Sequence, residues 1–184
     1  RVFAKIYDLI LHSKLLPGQI VKESDLSVSF GVSRGPVREA VNRLRGLGLL
    51  DKQAYARARV SELTFKTVIE IFQEREMVEA LSARLVARNA SDEAIASLLS
   101  DFEASREQDD SEFDVHVRLA RLSGNSYVER LFCDELNYQL QRYRIMSGNT
   151  GRRTQAYNEH WQILRAVAAR DEDLAESLMR SHIA

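Results

Sequence analysis

The chain of 184 residues has one cysteine, Cys133, two prolines, Pro17 and Pro36, and one tryptophan. A single cysteine excludes an intrachain disulfide framework and any metal site built from several thiolates, and it leaves Cys133 to be read as a small core residue. Proline is absent after residue 36, and beyond residue 60 glycine occurs only at Gly124, Gly148 and Gly151, so little there interrupts a helix. No apolar run approaches the roughly 20 residues that a bilayer-spanning helix needs, and the first residues carry no signal-peptide pattern. A cytoplasmic protein without membrane contact is expected. Also missing are a phosphate-cradling glycine loop, a nucleophile elbow, an internal repeat and any low-complexity tract. With 45% hydrophobic and 29% charged residues, the composition is that of a globular protein with room for one or two real cores.

Net charge is almost absent too, at −1, but this near-neutrality is a sum of unlike parts. Residues 1–60 hold 11 Lys/Arg against 5 Asp/Glu, a net of +6, and residues 61–184 hold 15 against 22, a net of −7. The first part suits a polyanion.

Within that basic part, Gly31-Val32-Ser33-Arg34-Gly35-Pro36-Val37-Arg38-Glu39-Ala40-Val41-Asn42-Arg43-Leu44 reads as a turn feeding a helix. Ser33 is a good N-cap and Pro36 fits the first helical turn, where a missing N–H costs little. Val37, Ala40, Val41 and Leu44 repeat at helical spacing and face a core, which leaves Arg34, Arg38 and Arg45 to project outward. Glu23 to Phe30 reads as a short preceding helix stopped by Gly31. Two helices joined by a tight glycine turn make a helix-turn-helix, whose second helix enters the major groove. Val2 to Ser13 supplies a first helix, closed by Leu16-Pro17-Gly18. Asp51 to Val60 alternates enough for a small hairpin, with Leu49-Leu50 pairing with Arg59-Val60 as the wing of a winged helix. The plain alternative is that the arginines merely solvate a surface helix; the charge partition argues against it.

Leu16-Pro17-Gly18, Leu26, Gly31-Val32-Ser33-Arg34-x-Pro36-Val37-Arg38-Glu39-Ala40, Leu44 and Gly48-Leu49 together resemble the winged-helix domain of GntR-type transcription regulators. The resemblance covers nearly all of residues 2–60. It implies that Ser33, Arg34, Arg38 and Arg45 meet operator DNA, with Tyr55 and Arg57 of the wing reaching a neighbouring groove. The wing tip, Gln53-Ala54-Tyr55-Ala56, lacks the glycine usual in that family.

Past residue 61 the pattern is helical throughout, with helices expected over 64–88, 92–107, 112–122, 126–146, 153–169 and 171–183. Ser91-Asp92-Glu93 and Ser123-Gly124-Asn125-Ser126 are cap and turn chemistry, and Val128, Phe132, Leu136, Leu140 and Tyr143 form a long apolar stripe. The expected fold is therefore mainly α: a winged helix-turn-helix over residues 1–62, then an all-α antiparallel bundle over 63–184.

Three of the four histidines fall in this second part. Glu112 and His116, spaced i, i+4, put a carboxylate and an imidazole on one face of a helix, as a shared metal ion requires. His160 and His182 sit on two further helices beside apolar residues that face the bundle, and inward-pointing imidazoles are costly unless something satisfies them. Taken singly, each histidine can equally be a hydrogen-bonded or exposed residue.

The segments Glu112-Phe113-Asp114-Val115-His116, Ser123-Gly124-Asn125, Glu159-His160, Ile163-Leu164 and Met179-Arg180-Ser181-His182 resemble the FCD effector domain found in the FadR branch of GntR regulators, over residues 66–184. That resemblance implies a divalent metal held by Glu112, His116, His160 and His182, with Glu112 standing where the family has aspartate; Asp114 is a weaker substitute on the other face. Zinc is the first choice, with nickel, cobalt, iron and manganese also compatible with these ligands. The resemblance further implies a small organic acid bound to the metal by its carboxylate. Arg75, Arg142 and Arg144 are placed as its candidate partners, with a structural salt bridge the alternative for each. The expected function is a homodimeric, ligand-responsive regulator that reads a pseudo-palindromic operator on double-stranded DNA. A regulator whose metal is structural or is itself the signal is a rival reading. A metal-dependent enzyme is a weaker one, because no clear general base accompanies the ligands.

Overall fold

A computed structural model of the chain describes residues 1–51, 57–107, 114–148 and 153–184. Their contacts divide the chain into two compact units: Arg1–Val68 with Tyr138–Gly148, and Ile69–Asn137 with Asn149–Ala184. The first therefore combines the N-terminal residues with a piece of chain from far downstream.

In that first unit, helices α1 (Val2–Leu11), α2 (Glu23–Phe30) and α3 (Arg34–Gly46) close around one apolar cluster. Ile6 and Ile10 from α1, Leu26 from α2, and Val37, Val41 and Leu44 from α3 are buried together with Leu49, Leu50 and Val60. Each such side chain taken from water contributes about 1.5–3 kcal/mol, which is what holds three short helices in register. Gly31 ends α2 in the left-handed conformation, at φ 64° and ψ 37°. Ser33 then occupies the N-cap position of α3 with extended backbone, although its hydroxyl makes no cap hydrogen bond.

The wing is anchored as the alternation predicts. Leu50 bridges Val60 and Ile20 bridges Arg59, both antiparallel, and the Asp51 N–H donates to the Arg59 carbonyl at 2.9 Å. The expected tip, Gln53 to Ala56 and so Tyr55, lies outside the described residues.

The second unit is built from α4 (Phe65–Asn89, of which it takes the part from Ile69 on), α5 (Asp92–Glu107), α6 (Val115–Leu122), α7 (Ser126–Glu129), a π-helical segment (Arg130–Leu136), α9 (Arg153–Ala168) and α10 (Glu172–Ile183). The remaining helix, α8 (Asn137–Ser147), carries the chain into the first unit at Tyr138. Ala80, Ala83, Val86, Leu98, Phe102, Leu119, Ile163, Leu164, Val167 and Met179 form the bundle core.

Two expectations about helix boundaries are corrected. The helix expected from residue 112 starts at Val115, because Asp114 is its N-cap: its backbone is extended and its carboxylate accepts from the His116 and Val117 N–H groups. The single helix expected over 126–146 is divided by the π-helical segment. Val128, Phe132, Leu136 and Leu140 are all buried at a strict four-residue spacing. In a regular α-helix that spacing rotates the stripe by about 40° at each step, so a locally widened helix keeps it on the core side.

Candidate functional site

The first unit presents a basic groove beside α3. Arg34, Arg38, Arg45 and Arg57 line a cavity of about 590 Å³ together with Lys22 and one carboxylate, Glu23. The packed face of α3, with Val37, Ala40, Val41 and Leu44 buried, turns the opposite face outward and leaves Arg34 and Arg38 exposed. Four arginines, three from α3 and Arg57 from beside Ala58, thus line one cavity. Arg38 stands 3.6 Å from Glu23, with its side chain 70% exposed. A surface pair of this kind contributes at most about 1 kcal/mol, so it does not tie Arg38 down.

The second unit brings the three expected histidines together. His116 from α6, His160 from α9 and His182 from α10 turn their Nε2 atoms toward one another: His160 Nε2 is 3.0 Å from His116 Nε2 and 3.1 Å from His182 Nε2. Their ligating nitrogens all lie within 4.8 Å of one another. Behind two of the rings stands a carboxylate. Glu159 Oε2 lies 2.6 Å from His182 Nδ1, and Glu79 Oε2 contacts His116 Nδ1. A carboxylate on Nδ1 fixes the tautomer whose Nε2 lone pair points into the cluster.

Charge follows from the same geometry. Burial, with His116 and His182 alongside, pushes His160 down to about 2, and burial together with His116 also lowers His182. Burial alone would raise the Glu79 carboxyl, but the His116 ring and the Arg75 guanidinium outweigh it and hold it below the usual carboxylate range. Arg75 Nε donates to Glu79 Oε1 at 2.5 Å, and its Nη2 lies 3.2 Å from His116 Nε2. Imidazoles with converging Nε2 atoms, two of them held from behind by carboxylates, are the donor set that a divalent cation with a preference for nitrogen takes. The residues present fit such an ion.

Glu112 lies outside the described residues. Asp114 is engaged as the α6 cap. Arg75 is at the cluster. Arg142 and Arg144, expected at the same pocket, belong instead to the first unit. Arg142 is buried there and donates through Nη2 to the Ser61 carbonyl, and Arg144 is exposed. The helix that carries both has left the bundle by Tyr138, which spacing alone does not reveal. Sequence reasoning gave Glu79 and Glu159 no role. The available signal was a carboxylate between the apolar Val78 and Ala80, and a Glu directly before a pocket histidine.

Residues 1–60 match the model of bacterial regulatory proteins of the gntR family, and residues 70–184 match the FCD domain. An uncharacterized HTH-type transcriptional regulator, YdhC of Bacillus subtilis, is 27% identical across 98% of this chain and 85% of its own length. A probable D-xylose utilization operon transcriptional repressor of Paenarthrobacter nicotinovorans is 27% identical across 95% of this chain and 80% of its own. Among solved structures, E. coli McbR/YncC shares the fold with a TM-score of 0.73 at 20% identity, covering 99% of this chain and 91% of that one. The families and relatives are transcription regulators rather than enzymes, and among the described residues no helix is long and apolar enough to cross a membrane. The gntR-family model over residues 1–60 and the FCD domain over residues 70–184 together account for nearly the whole chain, and the chain belongs to the GntR family of bacterial transcription regulators.

Proposed function

We propose that the chain is a homodimeric, ligand-responsive regulator in which two copies of α3 read the halves of a pseudo-palindromic operator. In the same reading, His116, His160 and His182 hold a divalent ion, zinc first, at which a small organic acid docks. The observation that carries this is the convergence of three Nε2 atoms with carboxylates behind two of the rings. Glu112 remains the proposed fourth ligand by its match to the family pattern. When bound, the ion supplies a Lewis-acid centre that attracts a carboxylate.

The chain's own residues do the rest. Arg75, fixed to Glu79, faces the same nitrogen cluster and offers a guanidinium to the acid's oxygens. The histidines come from α6, α9 and α10, so a ligand that draws them together changes how those helices pack. Such a ligand shifts operator affinity only by its preference for one arrangement, typically about 1–3 kcal/mol. Repression is the direction to test first, in a cytoplasmic setting, since the Paenarthrobacter relative is described as a probable repressor.

The test is metal analysis of the purified protein, followed by melting curves with a panel of small carboxylates with and without chelator. Bound metal, plus an acid-induced rise in Tm that chelation abolishes, is expected. A Tm that falls on chelation yet ignores every acid would make the ion structural or itself the signal, and turnover of the acid would make the protein an enzyme.

A further inference from the structure

The segment Tyr138–Gly148 lies within the residues that match the FCD domain, yet it packs in one unit with the DNA-reading head. Four of its side chains make specific contacts there. The Gln139 carboxamide donates to the Leu47 carbonyl at 2.6 Å, and Leu47 is the C-cap of the recognition helix α3. Arg142, 2% exposed, donates to the carbonyl of Ser61, directly after Val60, which bridges Leu50 at the base of the wing. The Tyr7 hydroxyl on α1 donates to Gln141 Oε1 at 2.9 Å, within reach of the Tyr138 carbonyl at 3.1 Å. The Tyr138 ring meets those of Tyr7 and Phe3 edge to face, with centroids 4.9 and 5.2 Å apart.

These contacts differ from general apolar packing, because two of them end on main-chain carbonyls that bound the DNA-reading elements. The last carbonyls of a helix have no partner within the helix, so a donor supplied from elsewhere fixes where that end sits. At Gly48 the backbone takes φ +70°, and a Cβ there would stand 3.0 Å from Gln139 Nε2. The turn after α3 is therefore open to Gln139 because the residue is glycine. Arg142 is a charged group held in a buried place, where it costs free energy unless hydrogen bonds such as the one to the Ser61 carbonyl offset it.

We propose that residues 138–148 act as a fourth helix of the DNA-reading head, in which Gln139 and Arg142 are positioning residues that set the end of α3 and the base of the wing. Operator recognition then depends on residues about 80 positions beyond the winged helix, in the part of the chain that otherwise forms the effector domain.

The test uses the full chain and three variants, Gln139→Leu, Gln139→Glu and Arg142→Met. Each is measured against a duplex selected from a random pool by the wild-type protein and against an unselected random duplex of equal length. Affinity for the selected duplex should fall at least 5-fold in Gln139→Leu, and further in Gln139→Glu, where a carboxylate meets the Leu47 carbonyl. Affinity for the random duplex should change by less than 2-fold. A purely structural role would lower both equally, in proportion to the unfolded fraction, and would overturn the proposal. Amide hydrogen exchange supplies a readout without DNA: α3 amides near Leu47 should exchange at least 5-fold faster in the Gln139 variants, with α9 and α10 unchanged. Wild-type rates in α3 would equally overturn the proposal. Arg142→Met, which removes a buried charge, keeps the test available if a Gln139 variant fails to fold.

Discussion

The Nε2 atoms of His116 and His160 stand 3.0 Å apart although 44 residues separate them in the chain. Two imidazoles do not bring their Nε2 atoms together for each other's sake, since at most one of the pair can usefully donate into the contact. Leu119 of α6 and Ile163 and Val167 of α9 belong to one buried core, which fixes where both helices stand. Bundle geometry, decided by apolar residues, thus sets the spacing of the polar ones.

Separate tasks for the two units give a paired outcome. Arg38→Ala should weaken operator binding by about 1–3 kcal/mol, or roughly 5- to 150-fold, and leave metal content intact. His160→Ala should abolish stoichiometric metal and leave binding to a selected duplex within a few-fold. Gel shift and elemental analysis on the same preparations check both; simultaneous loss of both properties in a folded variant would refute the division.

Glu79→Gln removes the charge that faces both Arg75 and His116. Metal affinity should fall 10- to 100-fold, as for other supports of a ligating imidazole. Stability of the ion-free protein should fall as well, because the Arg75 side chain, 13% exposed, loses its counter-charge. Competition with a chromophoric chelator gives the first quantity and thermal denaturation the second. Wild-type metal affinity in this variant would show that the carboxylate has no part in presenting His116.

The depressed His160 and His182 predict acid sensitivity of the ion-free protein. In the unfolded chain these rings take up protons near pH 6.5, whereas in the fold they resist protonation. Below that value the unfolded state binds more protons, so their contribution is present above pH 6.5 and is lost as the pH falls. The loss is up to about 1.4 kcal/mol per pH unit for each ring. Glu79, also lowered, adds to it below about 4.5. Melting in chelator at pH 8, 6.5 and 5.5 measures this, and an unchanged Tm down to pH 5.5 would contradict the neutral assignment of the rings.

Leu44→Ala should cost about 2–5 kcal/mol, because Leu44 is wholly buried between α3 and the rest of the head core. Its melting transition should shift with no change in metal stoichiometry; a Tm within 1 °C of wild type would argue against that core.

The three head helices and the three histidines were legible for physical reasons. Val37, Val41 and Leu44 report a packed helical face through their spacing, and a histidine among apolar residues stands out when the chain holds only four. Glu79 was not legible, since carboxylates number 27 with the aspartates and its contact with His116 crosses 37 positions. The start of α6 was misplaced because periodicity continues through a capping aspartate without marking it. The place of Arg142 in the first unit is hidden for a related reason: a helix reads the same whether or not its far end has crossed to another core.

The head is discontinuous along the chain, which sets a rule for engineering it. A chimera that transplants residues 1–62 alone onto a foreign sensor would strip Phe3 and Tyr7 of their aromatic partner at Tyr138 and leave the Leu47 carbonyl without its donor. Grafts that carry the matching downstream helix along should stay soluble where the shorter ones aggregate.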